Sequence, residues 1–146
     1  MDRPHVVVLV DHDPRDPAVL EAVRARAAQG PARFSLLVTN PRPNEAHLRH
    51  PLHPERHDGV RAVAARLGDW TAALTDAAGE EVLGDVSIRH DPFDALEEQM
   101  LVHRVDEVIV SVARHAVAAR LHLDLVHRLA QRGLTVIEVP AEAAPR

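Results

Sequence analysis

Cysteine and tyrosine are absent from the 146 residues, and aromatic side chains make up only 2% of them, as two phenylalanines and one tryptophan. The lack of cysteine excludes a disulfide framework, thiol catalysis, thiolate metal sites and cysteine-based redox sensing together. The shortage of aromatic rings argues against ligand recognition by stacking and leaves the core to valine, leucine and alanine. No block rich in lysine or arginine occurs, and the formal net charge is −5, so neither nucleic acid nor an anionic membrane is an expected partner. Long apolar runs are missing too: Val6 to Val10 is too short to span a bilayer, and Met1 to Pro4 before it carries no signal-peptide pattern. A soluble cytoplasmic protein is the expectation.

What is present suffices for one core. With 46% hydrophobic residues, the chain predicts a single domain over 1–146, with a His- and Pro-rich connection at 40–57 and a tail at 140–146. The eleven histidines are the compositional oddity, because charging all of them would carry the net charge from −5 to +6.

The order of local signals is regular. His5 to Asp11 is a continuous β-branched run suited to a strand buried on both faces, and Asp13-Pro14-Arg15-Asp16-Pro17 is turn chemistry. A helix over Ala18 to Gln29 follows, stopped by Gly30-Pro31, and then a second buried strand over Arg33 to Thr39. From Asp58 to Ala78 apolar side chains recur at steps of three and four, and Gly79 ends that helix. A third strand is expected over Asp85 to His90, after which Asp91-Pro92 caps a helix running to about Val102. A fourth strand over Asp106 to Ser111, a helix from Ala116 to Arg132 and a fifth strand over Leu134 to Val139 complete the series. This alternation predicts an α/β fold: a five-stranded parallel sheet with helices on both faces, Rossmann-like in type. Ligands of such sheets bind beyond the carboxyl ends of the strands, where strand order reverses. The candidate binding residues are therefore Asp11, His12, Asp13, Thr39, Asn40, His90, Asp91 and the segment Ser111 to His115.

The chain resembles the universal stress proteins over nearly its whole length. The resemblance rests on the strand and helix start from Gly79 to Leu96, with Asp91-Pro92-Phe93-Asp94-Ala95-Leu96, and on Val105-Asp106-Glu107-Val108-Ile109-Val110-Ser111. Nucleotide-binding members of that family carry an Asp at the end of the first strand, which Asp11 matches. They follow the fourth strand with Gly, two residues, Gly, nine residues, Gly and Ser or Thr. Here those positions fall on Ser111, Arg114, Asp124 and Leu125, so the register is kept while every element is replaced. Side chains at Ser111 and Arg114 obstruct a backbone cradle for phosphate, Asp124 repels it, and Leu125 offers no hydroxyl. No cofactor is expected, and ATP in the family's usual mode least of all. Arg114 could instead grip a smaller anion bidentately.

The separations of three, three and four among His47, His50, His53 and His57 allow imidazoles to gather around a metal, but Pro51 and Pro54 interrupt the run, and a polar loop is the reading adopted. His103, His122 and His127 are read as surface or interface residues. No Walker loop, dinucleotide-type glycine turn, paired-histidine protease motif, Gly-x-Ser-x-Gly elbow or His-x-Gly-His motif is present. The sequence thus points to a non-enzymatic stress-protein-like regulatory or binding module with no catalytic residues. The resemblance adds an expected homodimer through the last strand, with a protein partner or small anion as further partner. Two alternatives stay open: an adenine-nucleotide binder with a modified phosphate site, and a small hydrolase or transferase using the His and Asp residues of the crevice.

Overall fold

The computed structural model describes residues 3–40, 55–112 and 118–140. The chain alternates strictly: β1 (His5–Val10), α1 (Pro17–Ala28), β2 (Arg33–Val38), α2 (Glu55–Ala78), β3 (Leu83–Val86), α3 (Pro92–Met100), β4 (Glu107–Ser111), α4 (Ala118–Gln131) and β5 (Thr135–Glu138). All four strand pairings are parallel, in the order β3-β2-β1-β4-β5. Strand order therefore reverses between β1 and β4, and the crevice beyond Val10 and Ser111 is the topological switch point.

Alternation along β1 sorts the core into two layers. Val6, Val8 and Val10 pack with Val19 and Val23 of α1 and with Val63, Trp70 and Leu74 of α2. Val7 and Leu9 pack on the opposite face with Phe93 and Leu96 of α3 and Leu125 and Leu129 of α4. Every residue of β1 is buried, as its unbroken β-branched run requires. Helices thus cover both faces, and the α/β expectation stands.

Among the described residues most boundaries fall within one residue of the sequence reading, and the second helix, third strand and third helix depart from it by two or more. The second helix begins at Glu55 rather than Asp58, because the proline restriction ends with Pro54; His57 is helical and not part of the irregular connection. The third strand is Leu83–Val86 rather than Asp85–His90. It pairs Leu83 to Val86 with Ser35 to Val38, and β2 ends there. Beyond it Ser87 N donates to the Val38 carbonyl at 2.8 Å and Asn40 N to the Arg89 carbonyl at 2.9 Å, so residues 87–90 wrap the end of β2 without extending the strand. The third helix closes at Met100, two residues before the expected Val102, and its last turn leaves Leu101 and Val102 exposed.

Helix ends follow local chemistry. The Asp91 carboxylate accepts from Phe93 N at 2.8 Å and from Asp94 N at 3.3 Å, with Pro92 in the first turn. Asp16 caps α1 in the same way through Ala18 N at 2.9 Å. Gly79 and Gly133, both at φ 81°, release α2 and α4 into the strands that follow.

Candidate functional site

The crevice is built from the ends of three strands. Asp11, His12 and Asp13 leave β1, Thr39 and Asn40 leave β2, and Ser111 ends β4. Register fixes their meeting: Val10 stands opposite Val38 on one side and Ser111 on the other. His12 and Ser111, 99 residues apart, therefore come together, with His12 Nε2 3.0 Å from Ser111 Oγ. The second ring nitrogen, Nδ1, lies 3.0 Å from the Asp13 carbonyl oxygen. A carbonyl only accepts, so in the neutral ring Nδ1 carries the hydrogen and Nε2 accepts from the serine hydroxyl.

That pairing has the outline of a nucleophile and base, yet Ser111 is 0% exposed. A wholly covered hydroxyl is not presented to a substrate carbonyl, and the contact acts as a polar tie between β1 and β4. Asp13 is committed to the turn: its carboxylate accepts from Arg15 N at 2.9 Å and from Arg15 Nη2 at 2.7 Å. The Arg15 bond holds the Asp13 carboxyl below its ordinary value. Asp11 lies half-buried at the mouth of β1.

Thr39 and Asn40 are each 1% exposed. Asn40 organises the wall of the crevice: its Nδ2 donates to the Ile88 carbonyl at 2.9 Å, and its own carbonyl faces His90 Nδ1 at 2.9 Å. His90 therefore serves as a hydrogen-bonded wall residue. Asp91 is occupied as the α3 cap. The Thr39 hydroxyl is buried with no hydrogen-bond partner among the described residues. Such a group costs free energy unless it gains a partner, so Thr39 is the crevice's one described side-chain hydroxyl left unsatisfied.

Of the other positions that the sequence reading sets against the glycine pattern, Leu125 and Asp124 fall on α4. Leu125 is 6% exposed and packs with Phe93 and Leu129. Asp124 is exposed on α4, 3.8 Å from Arg128 of the next turn. Arg114 and His115 lie outside the described residues, as do His47, His50 and His53; the remaining member of that histidine run, His57, belongs to α2. Among the described residues no group of three His, Cys, Asp or Glu side chains is placed to hold a metal. No helix among them is long and apolar enough to cross a membrane.

Two buried polar clusters were not visible in the sequence. Arg26 of α1 donates to Glu107 of β4 through Nε at 2.8 Å and Nη2 at 2.9 Å, and to the Gly30 carbonyl at 3.3 Å. His5 is buried at the opposite end of β1 from the crevice, with both ring nitrogens engaged. The polar partners of His5 and Arg26 come from distant parts of the chain, and only the placing of β1 between β2 and β4 brings them together.

Neither a family model nor a curated protein sequence matches the chain. Solved structures do. The hypothetical protein MJ0577 superposes with a TM-score of 0.64 at 13% identity, covering 98% of this chain and 100% of that one. A universal stress protein in complex with cAMP superposes at 0.60 with 19% identity, covering 97% and 100%. A member of the universal stress protein family from Burkholderia pseudomallei superposes at 0.52 with 20% identity, covering 93% and 96%. The fold of this chain is therefore that of the universal stress proteins.

Proposed function

We propose that the chain is a non-enzymatic binding or regulatory module of the universal stress type, acting in the cytoplasm, whose crevice does not take ATP through a glycine phosphate cradle. The observation that carries this reading is the Ser111–His12 contact at 3.0 Å. Ser111 stands where the nucleotide-binding pattern begins, and its side chain, bound to His12, fills space that a glycine leaves to a phosphate. Leu125 supports the same reading, since the position of the pattern's hydroxyl is spent on the α3–α4 core. The ligand of this reading is a small anion or a segment of a partner protein; Arg114, outside the described residues, is assigned to the anion on its guanidinium chemistry alone.

One observation favours a second reading. The buried Thr39 hydroxyl and the Asp11 carboxylate stand at adjacent strand ends, and a structure of the same fold was solved with cAMP. An adenine nucleotide held there without a phosphate cradle would give Thr39 its missing partner. A thermal-shift series with ATP, AMP, cAMP, phosphate, sulfate and divalent metals separates the two readings. The first expects no stabilisation by ATP above that of phosphate alone; a rise specific to ATP, lost in Asp11→Ala, supports the second and refutes the first. Turnover of any of these nucleotides would instead establish an enzyme.

β5 is an edge of the sheet, and the proposed homodimer pairs through it. Sedimentation showing a monomer at high micromolar concentration refutes that part.

A further inference from the structure

His5 occupies a position unlike that of any other described histidine. It is 6% exposed at the amino end of the sheet, away from the crevice. Its Nδ1 lies 2.7 Å from the Arg104 carbonyl, and its Nε2 lies 2.7 Å from Ser35 Oγ on β2. Its backbone N donates to Asp106 Oδ2 at 2.9 Å, and Asp106 N returns a bond to the His5 carbonyl at 3.0 Å. One residue thereby joins β1, β2 and the connection between α3 and β4, residues 101–106. Within that connection Leu101, Val102, His103 and Arg104 are exposed. Val105 is buried in the core, Val102 N and His103 N donate to the Gln99 carbonyl, and Thr135 N donates to the Asp106 carbonyl, so His5 is what ties its exposed stretch to β1 and β2.

The bonding pattern specifies the neutral ring. The Arg104 carbonyl requires a hydrogen on Nδ1, which leaves Nε2 to accept from the Ser35 hydroxyl. A second proton converts that acceptor into a donor, forces the hydroxyl to turn, and places a charge where water has been removed. The surroundings oppose the charge on balance. Arg33 is the β2 residue opposite His5 in the register, and the His103 ring stands edge-on at 6.4 Å from the connection itself. Arg104 belongs to the same connection and gives its Nε to Asp106 Oδ1 at 3.2 Å. Asp106 favours the charge but is already bonded to the His5 backbone N–H and to Arg104, and Glu107 at the start of β4 is committed to Arg26 of α1. Burial, then Arg33 and His103, hold the His5 ring below the ordinary imidazole value, against the Arg104 carbonyl and Asp106.

We propose that His5 is an acid-sensitive latch: its neutral ring ties the α3–β4 connection to the amino ends of β1 and β2, and its protonation loosens that connection while the rest of the sheet stays folded. The sign follows from linkage. A base that binds protons less well when the latch is closed leaves the closed state intact above about pH 6.5 and weakens it as pH falls below. Every tenfold loss in the closed state's proton affinity becomes the same tenfold loss in closure at acid pH.

The test uses the intact protein. Nuclear magnetic resonance of the His5 ring should give a titration midpoint below 6.5; a midpoint at or above it overturns the latch. Hydrogen exchange at pH 7.5 and pH 5.0, corrected for intrinsic rates, should show protection at residues 101–106 falling by about threefold or more beyond that of the β1, β2 and β4 amides. No change, or an equal loss everywhere, overturns it. His5→Asn keeps a donor for the carbonyl and removes the titration, so the excess exchange at pH 5.0 should vanish; its persistence in the variant is also fatal. Should His5→Asn not fold, His103→Gln replaces it, with a rise of the His5 midpoint expected and an unchanged midpoint refuting the role assigned to His103.

Discussion

Replacing Glu107 by Ala strands the Arg26 guanidinium in a covered site, with side-chain exposures of 9% for Arg26 and 15% for Glu107 before the change. Two charge-assisted bonds, at 2.8 and 2.9 Å, disappear. Removing one partner of a buried pair costs about 3–5 kcal/mol, most of it the uncompensated charge that remains. The pair is covered but close to the molecular surface, and Arg26 keeps its bond to the Gly30 carbonyl, so the lower end, about 3 kcal/mol, applies. For a chain of this size that corresponds to roughly 6–12 °C in melting temperature. Urea denaturation followed by circular dichroism measures it, with an unchanged slope showing that only stability moved. Replacing both residues, Arg26→Met with Glu107→Leu, should return to within about 1 kcal/mol of the parent, since desolvation of the ions is no longer required. The pair also sets an acid limit. The Arg26 bond holds the Glu107 carboxyl below its ordinary value of 4.5, so its stabilisation is present above that pH and is lost as pH falls through the lowered value. A Glu107→Ala loss below about 1 kcal/mol, or a double variant no more stable than the single one, would refute the claim that enclosure between α1 and β4 makes this pair matter.

Ser111→Gly removes the hydroxyl from His12 and reopens the backbone at the switch point; stability should fall by about 1–2 kcal/mol, and isothermal titration should show tighter ATP binding than in the parent. A gain of ATP binding would support the blocked-cradle reading, and tight ATP binding by the parent would refute it. Gly84→Ala places a methyl 2.6 Å from Thr71 Cγ2 and 3.0 Å from Leu67 Cδ1, which pushes α2 off β3 and should cost about 1–3 kcal/mol. Adding Thr71→Ser should recover part of that loss, and an unaffected Gly84→Ala would disprove the close approach. Asp91→Ala leaves Phe93 N and Asp94 N without their cap and should cost about 1 kcal/mol by the same denaturation assay, whereas Asp91→Asn should cost less than half of that.

Much of the fold was legible because it rests on period and punctuation. β1 reads as a strand since five successive aliphatic residues suit only a position covered on both faces, and they are covered. Asp91-Pro92 reads as a helix start because the carboxylate and the ring serve the first turn without tertiary help. β3 was placed two residues late at its start and four at its end because Gly84 weakens the local strand signal; its position is set by pairing with β2 and by the room that α2 leaves. The candidate site was legible as a set of strand ends but not as a geometry. Asp11, His12, Thr39, Asn40 and Ser111 could all be named from topology, yet the sequence gives no hint that His12 bonds Ser111.

The sequence alone determined the number and kind of elements, the parallel sheet, the aliphatic core and the loss of the glycine pattern, because each depends on residues near one another in the chain. The tertiary structure alone decided the chemistry of the polar residues. Placing β1 between β2 and β4 brought His12 to Ser111, Arg26 to Glu107 and His5 to Ser35 and Arg104, across separations of 99, 81, 30 and 99 residues. A side chain's burial and partners, and with them its proton affinity and energetic weight, belong to that arrangement and not to the residue type.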